Sequence, residues 1–322
     1  MPDNQLTCKI CNNNSNNKIL NVREMYFGTR EVFEYSECSN CGCLQLLNPP
    51  KDYSNHYPKE YFTFQQKHEG KIKSLLNRYR DKAAMGEKSF LGNILYKKFG
   101  EPTYVSRLKI ANVGINDSIL DVGCGKGILL HKMKESGFEN VIGIDPFIDD
   151  TISYPNGLKI IKKNFNELEG KFDFIMFNHS FEHMENPFEV MKQSNRLLNK
   201  NRFLLVRIPV ADSYAFKQYR ENWCSLDAPR HLFLHTKKSI ELLANQSGFE
   251  IRRINYDSRS WQLWGSEQYS KNISLMDERS YYINPKKSIF TEKEIDEFEK
   301  RVIELNKNGE GDQAEFYLRK IN

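Results

Sequence analysis

The apolar positions in the middle of the chain fall in short unbroken runs. "SILDVG", "NVIGID", "GLKIIK", "FDFIMF" and "RFLLVRIP" are separated by stretches with helical spacing, one ending at Ser136 and one from Pro187 to Leu198. Continuous apolar strands alternating with helices predict an α/β fold, a parallel sheet covered by helices on both faces. Gly137 stands where a helix C-cap belongs, and Pro187 suits a helix N-terminus. Further on, Thr236 predicts the cap of a helix that runs through Ser247, Gly248 ends it, and "FEIRRINYD" reads as another strand. Thr291-Glu-Lys-Glu294 has capping-box spacing, so the tail is read as a charged helix covering the domain.

The part ahead of these strands differs in kind. Cys8-Lys-Ile-Cys11 and Cys38-Ser-Asn-Cys41 flank a segment that reads as a hairpin turning near Gly28-Thr29. Two residues between thiolates let both point at one ion, and two such knuckles complete a tetrahedral sulfur shell. Cys8, Cys11, Cys38 and Cys41 are therefore expected to hold a structural Zn2+, with Cys43 as an alternative to Cys41. A tyrosine-rich connector, "YSNHYPKEYFTFQQ", and a basic helical stretch from about Lys71 to Phe99 follow. The expected organisation is a zinc-ribbon-like domain over 1–50, connector and helix over 51–100, the main sheet domain over 101–270 and a helical extension over 271–322.

Composition narrows the class only slightly. The 322 residues are 39% hydrophobic, enough for a packed core. Lys and Arg number 47 against 42 Asp and Glu, a net +5, which falls short of the concentrated positive surface of a dedicated nucleic-acid binder. The first residues lack the order of an export signal, and no run reaches the roughly eighteen apolar residues of a membrane span. A cytoplasmic protein without membrane insertion is expected, in which closely spaced cysteines bind metal rather than form disulfides.

"ILDVGCGKGILL", residues 119–130, carries the chemistry. A P-loop would need G-x4-G-K-[ST], and a dinucleotide fingerprint G-x-G-x-x-G; neither is present. Asp121 would repel a pyrophosphate at this turn, whereas a nucleoside with an amino group and a sulfonium tolerates it. The stretch resembles motif I, D-x-G-x-G-x-G, of the class I S-adenosylmethionine-dependent methyltransferases, a Rossmann-like family. Asp145, at the end of the next strand, suits the two ribose hydroxyls. The resemblance implies S-adenosylmethionine as cofactor, with Asp121, Gly123, Cys124, Gly125, Gly127, Asp145 and Pro146 around it, Asn164 and Phe165 near the adenine, and the carbonyls of Asn178 and His179 near its amino group.

"FNHSFEHMENP" is similar to the family stretch ending in E-H-x-x-x-P. His183 is the first candidate general base, since an imidazole titrating near neutrality can take a hydroxyl proton, with Glu182 supporting it; the alternative is that both brace the following helix. His179 and His231 complete the catalytic candidates. "YRENWCSLDAPRHLFLHT" gathers Trp223, Asp227, Arg230, His231 and His235, a mixture suited to a small polar substrate that Trp223 stacks on and Arg230 pairs with. A structural role for Trp223 and Arg230 is the alternative. Tyr61 is a further candidate for closing over a ligand.

The W-x3-D-x-P-R-H arrangement looks like a bacterial methyltransferase group with a cysteine-rich N-terminus, frequently associated with sugar modification. That resemblance implies a small-molecule partner, a sugar, nucleotide sugar or surface-polysaccharide precursor, and O-methylation ahead of C-methylation; a homodimer is compatible with it. An RNA methyltransferase gripping phosphates with the ribbon and basic helix is the competing class, disfavoured by the lack of an N-P-P-[YF] motif. A non-catalytic binding protein is disfavoured by the intact Asp121, glycines and Asp145.

Overall fold

A computed structural model of the chain describes residues 6–53, 56 and 71–321. The chain gathers into two compact units that interleave along it: Met1–His56, Phe181–Met191 and Arg207–Phe316 form the first, and Tyr57–Ser180, Lys192–Val206 and Tyr317–Asn322 the second. Elements are numbered in chain order.

In the first unit, β1 (Lys18–Arg23) and β2 (Val32–Glu37) form an antiparallel hairpin whose innermost pair, Arg23 and Val32, closes a loop around Gly28. The turn thus lies where the sequence places it. β3 (Leu44–Leu46) pairs with β2, and β10 (Phe233–Leu234), far along the chain, pairs antiparallel with β3. The unit also holds α6 (Tyr214–Tyr219), α7 (Lys237–Gln246), β11 (Phe249–Tyr256), α8 (Trp261–Ser270) and α9 (Glu292–Lys307). Thr236 and Thr291 cap α7 and α9, each accepting the N–H three residues on, and Glu294 closes the capping box at Thr291.

Among the described residues, the second unit opens with α1 (Lys71–Ala84), α2 (Phe90–Phe99) and α3 (Thr103–Ile110). The single basic helix expected over 71–99 is thus two. Gly86, at φ +96°, turns the chain, and the Ser89 hydroxyl starts the next helix by accepting the Gly92 N–H. Then come β4 (Ile119–Val122), α4 (Ile128–Glu135), β5 (Val141–Ile144), β6 (Ile152–Ser153), β7 (Lys159–Ile161) and β8 (Phe172–Asn178). β4 pairs in parallel with both β5 and β8, β5 in parallel with β7, and β6 antiparallel with β7. Ile119, Leu130, Met133, Phe138, Ile160 and Phe174 are buried in one cluster beside these strands, each worth about 1.5–3 kcal/mol of burial.

α5 (Pro187–Leu197), β9 (Leu198–Pro209) and β12 (Gln313–Lys320) each run through both units. The large sheet has eight strands in the order β11-β12-β9-β8-β4-β5-β7-β6. This is a mixed α/β, Rossmann-like sheet flanked by helices, as the apolar runs predict. The tail reading stops short: after α9 the chain forms β12, a sheet strand rather than further helix. "QAEFYLRK" contributes five consecutive buried residues, Ala314 to Leu318, in keeping with an interior strand. Among the described residues no helix is long and apolar enough to cross a membrane.

Candidate functional site

After β4 the chain moves outward to β5 and β7 and then returns to β8 on the other side, so the crevice beyond the ends of β4 and β8 is a topological switch point, where ligands of such sheets bind. The glycine turn occupies it. Gly123, Gly125 and Gly127 have φ of +73°, +55° and +74°. A side chain at Gly127 would put Cβ 2.5 Å from Ile160 Cδ1, and one at Gly123 2.5 Å from Ser180 Cβ. Ser180 is in turn fixed by donating its hydroxyl hydrogen to the Val122 carbonyl at 2.6 Å.

Two acids face this turn differently. Asp145 Oδ2 accepts the Gly125 N–H and its Oδ1 the Phe147 N–H, both at 2.8 Å. Asp121 is buried, and burial, with a smaller push from Asp145, raises its carboxyl to about 7. Asn178 is the neighbour favouring its charged form. Asp121 Oδ1 and both amide atoms of Asn178 are buried without a hydrogen-bond partner among the described residues. Such orphaned atoms are rare in folded proteins and suit a polar ligand. A nucleoside bearing an ammonium and a sulfonium fits them, because a cation stabilises the ionised form of Asp121.

The other donor-side candidates are placed as follows. Cys124 lies in the turn, its thiol raised well above the ordinary range by burial. Pro146 follows Asp145 and is half-buried. Asn164 is exposed and donates to Glu167 Oε1 at 3.2 Å, while Phe165 is buried edge-on against Phe177. His179 is an exposed non-glycine residue at φ +54°, a conformation costing about 1–3 kcal/mol and concentrated at functional sites.

In the first unit, Glu182, His183 and His231 bring a carboxylate oxygen and two ring nitrogens within 4.8 Å of one another. His183 Nδ1 lies 2.7 Å from the Arg230 carbonyl, and His231 Nδ1 2.9 Å from that of Ser225. A carbonyl only accepts, so each Nδ1 carries a hydrogen, and Nε2 is the basic nitrogen of either ring in its neutral form. His231 Nε2 is 3.9 Å from both Glu182 Oε1 and Asp227 Oδ2. Burial, then the neighbouring His183, pushes His231 down to about 4, so it is neutral at neutral pH.

Three acceptor-side expectations change. Arg230 is not offered to a substrate: its guanidinium is wholly buried and engaged by Asp227 at 2.5 Å, by Glu24 at 3.2 Å and by the His56 carbonyl at 3.2 Å. Burial alone would raise Asp227, but Arg230 outweighs it and holds that carboxyl below its ordinary value. Trp223 is not a stacking face, being buried with Nε1 donating to Asp312 at 2.9 Å. His235 is wholly buried between Phe181 and Phe233, and that burial pushes it down to about 3. Tyr61 lies outside the described residues. Sequence reasoning missed Glu24, a wholly buried carboxylate in the β1–β2 loop that accepts the N–H groups of Tyr26, Phe27, Gly28 and Thr29; an acid ahead of a glycine loop was the available signal.

The cysteine cluster has the composition first expected. Cys8, Cys11, Cys38 and Cys41 place their sulfurs within 4.8 Å of one another, with Cys8 and Cys41 3.6 Å apart and Cys11 and Cys38 3.5 Å apart. Zinc with Zn–S bonds of about 2.3 Å sets its sulfurs about 3.8 Å apart, so the donor set fits that ion. The Cys8 thiol is pulled down to about 5, chiefly by its contact with Cys41, which is raised by the same contact. Cys43 lies instead 3.9 Å from His235 Nδ1.

A family model describing a methyltransferase domain matches residues 64–254, more than half of the chain. No curated protein matches the sequence. Among solved structures, the cyclopropane synthase MmaA2 from Mycobacterium tuberculosis is 15% identical, with 79% of this chain and 100% of that one covered at a TM-score of 0.42. An S-adenosylmethionine-dependent methyltransferase from Mesorhizobium loti is 13% identical, with 68% and 98% covered at 0.42. The mycolic acid cyclopropane synthase CmaA1, complexed with SAH and CTAB, is 15% identical, with 79% and 100% covered at 0.43.

Proposed function

Because the chain belongs to this methyltransferase-domain family and is an S-adenosylmethionine-dependent enzyme, we propose that it methylates a hydroxyl of a sugar, in the form of a nucleotide-linked sugar or surface-polysaccharide precursor. The hydroxyl chemistry is supported by one observation: His183 has Nδ1–H committed to the Arg230 carbonyl, which makes Nε2 a base of fixed orientation. The sugar class is supported by the W-x3-D-x-P-R-H arrangement from Trp223 to His231.

Bound S-adenosylmethionine supplies a methyl group on a sulfonium, open to attack by an oxygen nucleophile. The chain's residues do the rest. Asp121 offers its carboxylate to the ammonium, Asn178 its amide, and Asp145 its carboxylate to the ribose. His183 takes the hydroxyl proton at Nε2. Neutral His231 and Glu182 lie beside it, and a carboxylate there stabilises the imidazolium that forms.

The test is incubation with S-adenosylmethionine and a panel of nucleotide sugars, phosphorylated metabolites and RNA, with mass spectrometry for a product heavier by one methylene. NMR of that product places the methyl on oxygen or carbon. His183→Ala should bind donor normally and lose turnover; a wild-type rate removes His183 from the reaction.

A further inference from the structure

The cysteine ribbon and the acceptor-side histidines are tied by a run of buried hydrogen bonds inside one unit. β3 of the ribbon pairs with β10, which begins two residues after His231, setting Gln45 opposite Phe233 and Leu44 opposite Leu234. The Tyr35 hydroxyl, on a wholly buried ring in β2, donates to the His231 carbonyl at 2.8 Å. One residue on, the Leu232 carbonyl accepts the Leu46 N–H, and the Leu232 N–H donates to the Glu182 carbonyl, each at 2.9 Å. At the metal site itself, the Cys41 carbonyl accepts the Thr236 hydroxyl at 2.6 Å.

A second tie reaches His183. Glu24 organises the β1–β2 loop through its four N–H bonds and pairs with the Arg230 guanidinium. The carbonyl of that same Arg230 fixes His183 Nδ1. Both histidines therefore have their backbone or ring anchored, at one remove, to the sheet that the four cysteines close.

We infer that the metal-closed ribbon is the positioning scaffold of the acceptor-side histidines, with Tyr35 acting through His231 and Arg230 through His183, so that metal occupancy governs the orientation of the base and not uptake of the donor. The inference rests on the reading of His183 as base. It assigns the metal a role in turnover that needs no contact with either substrate, and makes Tyr35 and Arg230 positioning residues. Loss of the ion would release the knuckle around Cys41, the β3–β10 pairing and the Tyr35 bond together.

The experiment uses the full chain labelled with 15N-histidine, compared as zinc-loaded protein, chelator-stripped protein and Tyr35→Phe. Long-range 1H–15N NMR reads the tautomer of each histidine, assigned with His183→Ala and His231→Ala, and calorimetry reads S-adenosylmethionine binding. In the zinc-loaded protein, His183 and His231 should hold the hydrogen on Nδ1. Stripping should mix the tautomers of both, and Tyr35→Phe that of His231, while donor Kd stays within about twofold, as for weakly coupled sites. Unchanged tautomers in both samples overturn the inference, as does loss of donor binding together with the tautomers on stripping, which would make the ribbon a general stabiliser. Failure of the zinc-loaded protein to bind S-adenosylmethionine would instead overturn the donor reading.

Discussion

Asp145 Oδ2 accepts the N–H of Gly125 at 2.8 Å, so the acid that ends β5 also shapes the turn that follows β4. On the proposed donor reading, one carboxylate both holds the glycine turn and serves the ribose. Asp145→Ala should loosen both, and losing a charged hydrogen bond of about 1.5–3 kcal/mol corresponds to donor Kd rising about 10- to 150-fold. Isothermal calorimetry with S-adenosylmethionine checks it.

Asp121 should make donor affinity depend on pH. Burial raises its carboxyl to about 7, whereas the unfolded chain has it near 3.8. The native state therefore binds this proton more tightly than the unfolded state across that window, and Asp121 erodes stability as pH rises through it. A cationic donor needs the ionised acid, so affinity should strengthen with pH up to about 7 and weaken below it, approaching tenfold per unit. Asp121→Asn should flatten both profiles, read by calorimetry and by thermal melts from pH 5 to 8.

Gly127→Ala should destabilise the fold by about 2–4 kcal/mol, combining a left-handed backbone with a Cβ 2.5 Å from Ile160 Cδ1. Gly157 provides the contrast. It has φ +80°, but its nearest neighbour would be Lys134 Nζ at 3.9 Å, so Gly157→Ala should cost only the backbone term of about 1–2 kcal/mol. Urea unfolding of the two variants separates the contributions.

Arg230→Met should act on stability. Removing the guanidinium leaves Glu24 and Asp227 facing each other without their cation, a loss of about 3–5 kcal/mol. Arg230 holds Asp227 below its ordinary value, so that acid stabilises the wild type above that value and the contribution fades as pH falls through the lowered one. Denaturation midpoints between pH 3 and 7 should show this acid dependence in the wild type and not in the variant.

Local signals were legible in the sequence and distant ones were not. The strands β4, β5, β7, β8 and β9 appear as apolar runs because both faces of the sheet are covered, whereas the two-residue β6 leaves no such run, and Thr291 with Glu294 or Cys8 with Cys11 act over three positions. The full burial of Arg230 was not legible because one of its two acids, Glu24, stands 206 residues away, and Asp227, three positions before it, could as well have left the guanidinium exposed. Trp223 was misread for the same reason, since Asp312 is 89 residues distant. β12 escaped because Glu315 and the basic end of "QAEFYLRK" mask a buried run.

The position of β12 also sets a constraint on synthesis. It is inserted between β9 and β11, strands made more than fifty residues before it. A chain emerging from the ribosome must keep that slot vacant, with two bare strand edges facing each other, until residue 320 is free. Such edges invite mispairing with other nascent chains, so yield in the cell should depend on chaperones that shield them more than on the stability of the finished molecule.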